Sequence, residues 1–168
     1  MKAAVVISTP GTVPHDLPAL VQTVAGIARE YVFIGPQTFD YPADVPTRCP
    51  AVLHELELLK QALLWAQEQP VLVISAGLTA PSAELARYLD YVRAGFDAVI
   101  PMLDAATIQP LFAMYAPTCK VPVASAIAAG KPSIADILDG LKVRYVDPGE
   151  AAKFGNLAQM LGPVLHLR

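Results

Sequence analysis

The stretch VLVISAGLTAPSAELARYL, residues 71–89, decides how the chain folds. Its first five residues run Val71-Leu72-Val73-Ile74-Ser75 without polar alternation, the signature of a strand buried on both faces. Ala76 and Gly77 then break the run. Ser82 supplies an N-cap, and a helix is predicted from Ser82 to Ala94, stopped by Gly95. A buried strand that leads into a helix is half of a βαβ unit, and the rest of the chain repeats the pattern.

Upstream, residues 3–8 read as a strand ended by Thr9-Pro10-Gly11. Residues 16–29 carry Leu17, Leu20, Val21, Val24 and Ile27 at helical spacing, with Asp16 as a plausible N-cap. Tyr31 to Ile34 is β-branched and aromatic, a second strand closed by Gly35-Pro36. Residues 36–50 hold four prolines and read as a long loop. Residues 51–67 place Val52, Leu56, Leu59, Leu63 and Ala66 on one helical stripe, with Glu57 and Lys60 on the polar side. Downstream, strands are expected at residues 97–101, 111–115 and 142–146. Short helices are expected at residues 121–129 and 134–139, with Gly130 and Ser133 as caps. A weak helix follows from Asn156 to a break at Gly162-Pro163. The alternation implies a three-layer α/β fold with a mostly parallel sheet, as one domain spanning residues 1–168. Ligands of such sheets bind outside the carboxyl ends of the strands.

Composition narrows the function classes. Apolar residues make up 54% of the chain and charged residues 16%, which excludes a disordered protein and fits a core covered on both faces. Net charge is −3 with no Lys/Arg cluster, so no nucleic-acid partner is expected. No apolar run reaches the ~18 residues of a spanning helix, and Met1 to Ile7 reads as a first strand and not a signal peptide. A cytoplasmic protein with free thiols at Cys49 and Cys119 is expected. His15, His54 and His166 have no metal-ligand spacing, no Cys-x-x-Cys exists, and no nucleophile elbow is present. Tyr88 and Tyr91 read as packing or interface residues.

Four stretches in order resemble the molybdenum cofactor guanylyltransferase family. Residues 71–89 match its apolar strand and following helix, with Ala76-Gly77 where the family has a short acidic motif. DAVIPMLDAATIQPLFAMY, residues 97–115, matches a family run ending in Gln-Pro-Leu, and IQPLFAMY is the nearest stretch. Ala129-Gly130-Lys131-Pro132-Ser133-Ile134 and VRYVDPGEAAKFGN, residues 143–156, complete the order. The resemblance covers roughly the last two thirds of the chain. It implies a nucleotide-diphospho-sugar transferase-like (Rossmann-like) fold. It also implies a place in molybdenum cofactor biosynthesis, with GTP, Mg²⁺ and molybdopterin as ligands of the family reaction.

The departures from the family pattern bear on one chemical step. The family's Gly-rich signature wraps phosphates with backbone amides and neutralises them with Arg and Lys. The corresponding segment here, residues 8–16 (STPGTVPHD), has one Gly and neither Arg nor Lys, and its two prolines remove amide donors. The acidic residue that would hold Mg²⁺ falls at Gly77, after Ala76. The closing Asn-x-Asn-Thr-Pro motif is reduced to Asn156-Leu157-Ala158. Losing one comparable electrostatic donor costs about 10²–10³ in rate, so a catalytically impaired or non-catalytic relative is expected.

The candidate ligand-binding positions are Ser8, Thr9, Gly11, Ser75, Gly77, Gln109 and Asn156. Each has a plainer alternative. Ser8 to Gly11 reads equally as a strand-to-helix turn. Gln109 reads as a side chain satisfying backbone groups at a strand edge, and Asn156 as a helix N-cap. Three functions remain open: the impaired guanylyltransferase relative, a scaffold that dimerises or docks on an active paralogue, and a nucleotidyl- or glycosyltransferase with a different phosphate site.

Overall fold

The structure, a computed structural model, describes residues 1–7, 17–78, 80–161 and 165–166. The first half runs β1 (Lys2–Val6), α1 (Leu17–Ile27), β2 (Glu30–Ile34), β3 (Thr47–Arg48), α2 (Glu55–Ala66), β4 (Val71–Ser75) and α3 (Ala83–Val92). The second half runs β5 (Ala98–Asp104), β6 (Thr107–Ile108), β7 (Phe112–Tyr115), α4 (Lys120–Ala128), β8 (Val143–Val146), α5 (Pro148–Ala151), α6 (Leu157–Leu161) and β9 (Leu165–His166). Short 3₁₀ segments occupy Pro117–Cys119, Ile134–Gly140 and Ala152–Phe154.

The main sheet has the order β3-β2-β1-β4-β7-β5-β8. Strands β3, β2, β1 and β4 are parallel, β7 lies antiparallel to both β4 and β5, and β8 is parallel to β5. All but β7 therefore point the same way. Beyond this sheet, β5 continues into antiparallel pairing with β6, which pairs β9.

Strand pleating divides the apolar residues into two cores. Ala4, Val6, Val32, Ile34, Val71, Val73 and Ile100 face α2, α4 and the 3₁₀ segment at Ile134–Gly140. Ala3, Val5, Phe33, Leu72, Ile74, Val99 and Val146 face α1, α3 and α5. This three-layer α/β arrangement explains why β1 and β4 carry no polar alternation: neither face meets water.

Three local features differ from the sequence reading. The expected loop at residues 36–50 contains β3, because β2 offers unpaired amides: Phe33 N–H donates to the Pro46 carbonyl (2.9 Å) and Gly35 N–H to that of Arg48 (3.1 Å). Helix α2 starts at Glu55 and not at residue 51, because His54 is its N-cap, its Nδ1 accepting from the Glu57 amide at 3.1 Å. Ala51 to Leu53 offer no such acceptor. Strand β5 runs past Pro101 to Asp104, handing its pairing from β7 to β6 through a register shift. Pro101 is tolerated there because it needs no amide partner and its carbonyl accepts from Gln109 N–H (2.9 Å). The break expected at Gly162-Pro163 and the cap expected at Asp16 lie outside the described residues.

Candidate functional site

The carboxyl ends of the parallel strands form one rim. Val6 pairs in register with Ile34 on one side and Ser75 on the other, and Pro101 pairs with Val146. Beyond these levels the chain leaves the sheet, and side chains there face whatever enters the crevice. Gly35 sits on the rim because nothing larger fits: a Cβ would lie 2.7 Å from both the Ile7 Cβ and the Tyr41 hydroxyl. Tyr41 closes the loop after β2 by donating to the Pro36 carbonyl (3.1 Å). Its burial, and then the neighbouring Cys49, push the phenol above its usual range, so it remains a donor.

Ser75 ends β4, with its amide donating to the Leu111 carbonyl (2.6 Å). Its hydroxyl oxygen accepts from the Gly77 amide (3.2 Å), and its carbonyl from the Leu78 amide (3.2 Å). The turn at Ser75 to Leu78 is thus closed on itself. Gln109 lies beside it on the segment leading into β7. Its Oε1 accepts from the Leu111 amide (3.0 Å), its carbonyl from the Phe112 amide (3.2 Å), and its side chain is buried. Below it, Tyr115 donates its hydroxyl to the Pro110 carbonyl (2.7 Å). That phenol is fully buried and held well above its usual range by desolvation. The bond between Ser75 and Leu111 brings Ser75, Gly77 and Gln109 to one place.

Asn156 follows a cluster packed on the start of α3. Ser82 caps α3 by accepting from the Leu85 amide (3.2 Å) and donates to the Phe154 carbonyl (3.4 Å). The Phe154 ring packs on Tyr88 at 4.9 Å between centroids. Tyr88 donates to Glu150, which also accepts from Arg144 (2.7 Å). This cluster fixes residues 150–156 against the start of α3. Asn156 Oδ1 accepts from the Gln159 amide (3.3 Å), so it caps α6. For Gln109 and Asn156 the observed bonds are those of the plainer alternatives. Ser8, Thr9 and Gly11 lie outside the described residues.

Sequence reasoning missed two residues at the rim. Asp104, at the end of β5, accepts from the Ala106 amide (2.8 Å) and the Thr107 hydroxyl (2.9 Å), and Thr107 is buried. The sequence does place a turn at Asp104, before the strand at residues 111–115, but a turn signal does not by itself mark Asp104 and Thr107 as rim residues.

The residues present can be tested against Mg²⁺, the metal of the resembled family. Hard divalent cations take carboxylate oxygens. Among the described residues, no three His, Cys, Asp or Glu side chains come together to hold a metal ion. Gly77, at the expected position of the acid, brings only an amide already committed to Ser75. The end of β4 therefore offers no carboxylate to Mg²⁺, and the rim carboxylate described above is that of Asp104, at the end of β5.

No family model matches the sequence, and no curated protein matches it. Solved structures do. Molybdopterin-guanine dinucleotide biosynthesis protein A from Archaeoglobus fulgidus superposes with a TM-score of 0.76 at 20% identity, over 95% of this chain and 90% of that one. The 2-C-methyl-D-erythritol 4-phosphate cytidylyltransferase from Thermus thermophilus gives 0.65 at 16% identity, over 97% and 93%. A Mycobacterium tuberculosis protein solved as a complex with manganese gives 0.61 at 10%, over 87% of each chain. The chain therefore has the α/β, Rossmann-like fold of the nucleotide-diphospho-sugar transferase type. The resemblance to the molybdenum cofactor guanylyltransferases holds at the level of fold. Among the described residues, no helix is long and apolar enough to cross a membrane.

Proposed function

We propose that this chain is a cytoplasmic relative of the molybdenum cofactor guanylyltransferases that keeps the ligand crevice of the fold and has lost metal-dependent nucleotidyl transfer. The observation that carries this reading is the end of β4, where Ser75 and Gly77 satisfy each other and no carboxylate stands. Nucleotidyl transfer needs charge on the metal and on the leaving pyrophosphate. The segment at residues 8–16 contributes neither Lys nor Arg toward that charge. The free thiols of Cys49 and Cys119 fit a reducing compartment.

Thermal shift against GTP, CTP, ATP and molybdopterin, each with and without Mg²⁺, tests the reading. No Mg²⁺-dependent shift is expected with any nucleotide. An assay with labelled GTP and molybdopterin is expected to show no transfer of GMP. A Mg²⁺-dependent shift with GTP together with GMP transfer would overturn the proposal. A Mg²⁺-dependent shift with CTP or a nucleoside diphosphate sugar would instead favour a transferase with a different phosphate site.

A further inference from the structure

The stretch from Asp147 to Asn156, which leads from β8 to α6, is held by polar ties more than by packing. Ala151 is the only buried residue in it. Segments with so few buried apolar contacts lie at the low end of local stability. Glu150 makes two of the ties: its carboxylate accepts from the Tyr88 hydroxyl on α3 and from the Arg144 guanidinium on β8 (2.7 Å). Phe154 makes two more: its carbonyl accepts from the Ser82 hydroxyl (3.4 Å), and its ring lies on Tyr88. Arg144 is only partly satisfied in this arrangement. Its Nε is buried and has no hydrogen-bond partner among the described residues. A buried donor without an acceptor works against the arrangement that buries it, and admitting water relieves it. Just past Phe154 the chain turns at Gly155, with φ 138°, a conformation that glycine adopts freely.

We infer that residues 148–154 form a strap that closes on α3 and opens as one unit, with the Glu150 carboxylate as its catch and Gly155 as its hinge. The ties break together because the Glu150 bond and the Phe154 ring contact both converge on Tyr88. Within the strap, the Glu150 amide donates to the Asp147 side chain (2.9 Å) and the Ala151 amide to the Asp147 carbonyl (2.9 Å). A helix of four residues does not hold by itself, so these bonds are lost once the strap leaves α3. Opening uncovers the Tyr88 ring, frees the Ser82 hydroxyl at the start of α3, and lets water reach Arg144 Nε.

Native-state hydrogen exchange of the full chain, read by NMR, tests this. The amides of Glu150, Ala151 and Gly155 should share one opening constant, about a hundredfold larger than that of global unfolding read at Ala4 and Leu72. Glu150→Gln should raise the shared constant about tenfold, and Tyr88→Phe should raise it by a smaller factor. Arg144→Lys keeps a cation for Glu150 and has no Nε, so it should slow the three amides together, whereas in a fixed ion pair the same change would speed them. Exchange of the three only at the global rate, three unrelated rates that Glu150→Gln leaves unmoved, or faster exchange in Arg144→Lys would overturn the inference. The outcome is independent of whether the crevice binds a nucleotide.

Discussion

Asp97 shows how one side chain serves several segments. Its carboxylate accepts from the Thr118 hydroxyl (2.5 Å) and the Lys142 amide (2.8 Å). Its carbonyl accepts from the Ala116 amide (2.8 Å) and the Cys119 thiol (3.2 Å). The Thr118 bond first, and then the Lys142 amide, hold the carboxyl below its usual range. A depressed carboxyl contributes stability above its unfolded-state pKa of about 3.9, and the contribution is lost as pH falls through the lower folded-state value. Thermal melts taken from about pH 7 to about pH 3 should therefore fall toward acid, and Asp97→Asn should flatten the acid limb. Cys119 itself is pushed up to about 12 by burial and then by Asp97, and its side chain is inaccessible, whereas Cys49 is exposed. A thiol reagent at neutral pH should modify Cys49 in the native chain and reach Cys119 only after denaturant is added.

At the scale of elements, α2 shows what a cap is worth. His54→Ala removes the acceptor of the Glu57 amide and should cost about 1 kcal/mol in urea unfolding, while His54→Asn should keep most of it. The same helix marks the limit of reading from sequence. Its stripe of Leu56, Leu59, Leu63 and Ala66 is local information, legible in the chain and buried in the fold, whereas Val52, read as part of the same stripe, lies before the helix and is 52% exposed. Its start was not legible, because histidine is an uncommon cap and its role depends on which way the ring turns. Strand β3 was hidden for a different reason: Thr47 and Arg48 have no strand pattern of their own and pair because β2 presents free amides. The neighbourhood of Ser75, Gly77 and Gln109 was legible, since the three lie together at the strand ends. Who bonds to whom there was not, because Gln109 spends its oxygen on an amide two residues away, which spacing alone does not reveal.

Over the whole molecule, the two cores leave the sheet with a gradient of protection. Strands β1 and β4 are flanked by other strands and covered on both faces, whereas β3 is a two-residue edge with exposed side chains. Hydrogen exchange in the native state should be slowest at Ala4, Val5, Leu72 and Val73, approaching global unfolding, and fast at Thr47 and Arg48. Slow exchange at β3 would mean that its edge is covered in solution.

The reversed strand β7 has a consequence for how the chain is made. It lies between β4 and β5, yet it is synthesised after both. As the polypeptide leaves the ribosome, β1, β2 and β4 can zip together early. The outer edge of β4 then stays open until Phe112 to Tyr115 emerges and folds back. During that interval the nascent chain presents Val71 to Ile74 as an uncovered, apolar edge, the kind of surface on which unfinished chains stick to one another. Reliance on chaperones, and the yield of soluble protein on overexpression, should then depend on how quickly β7 arrives.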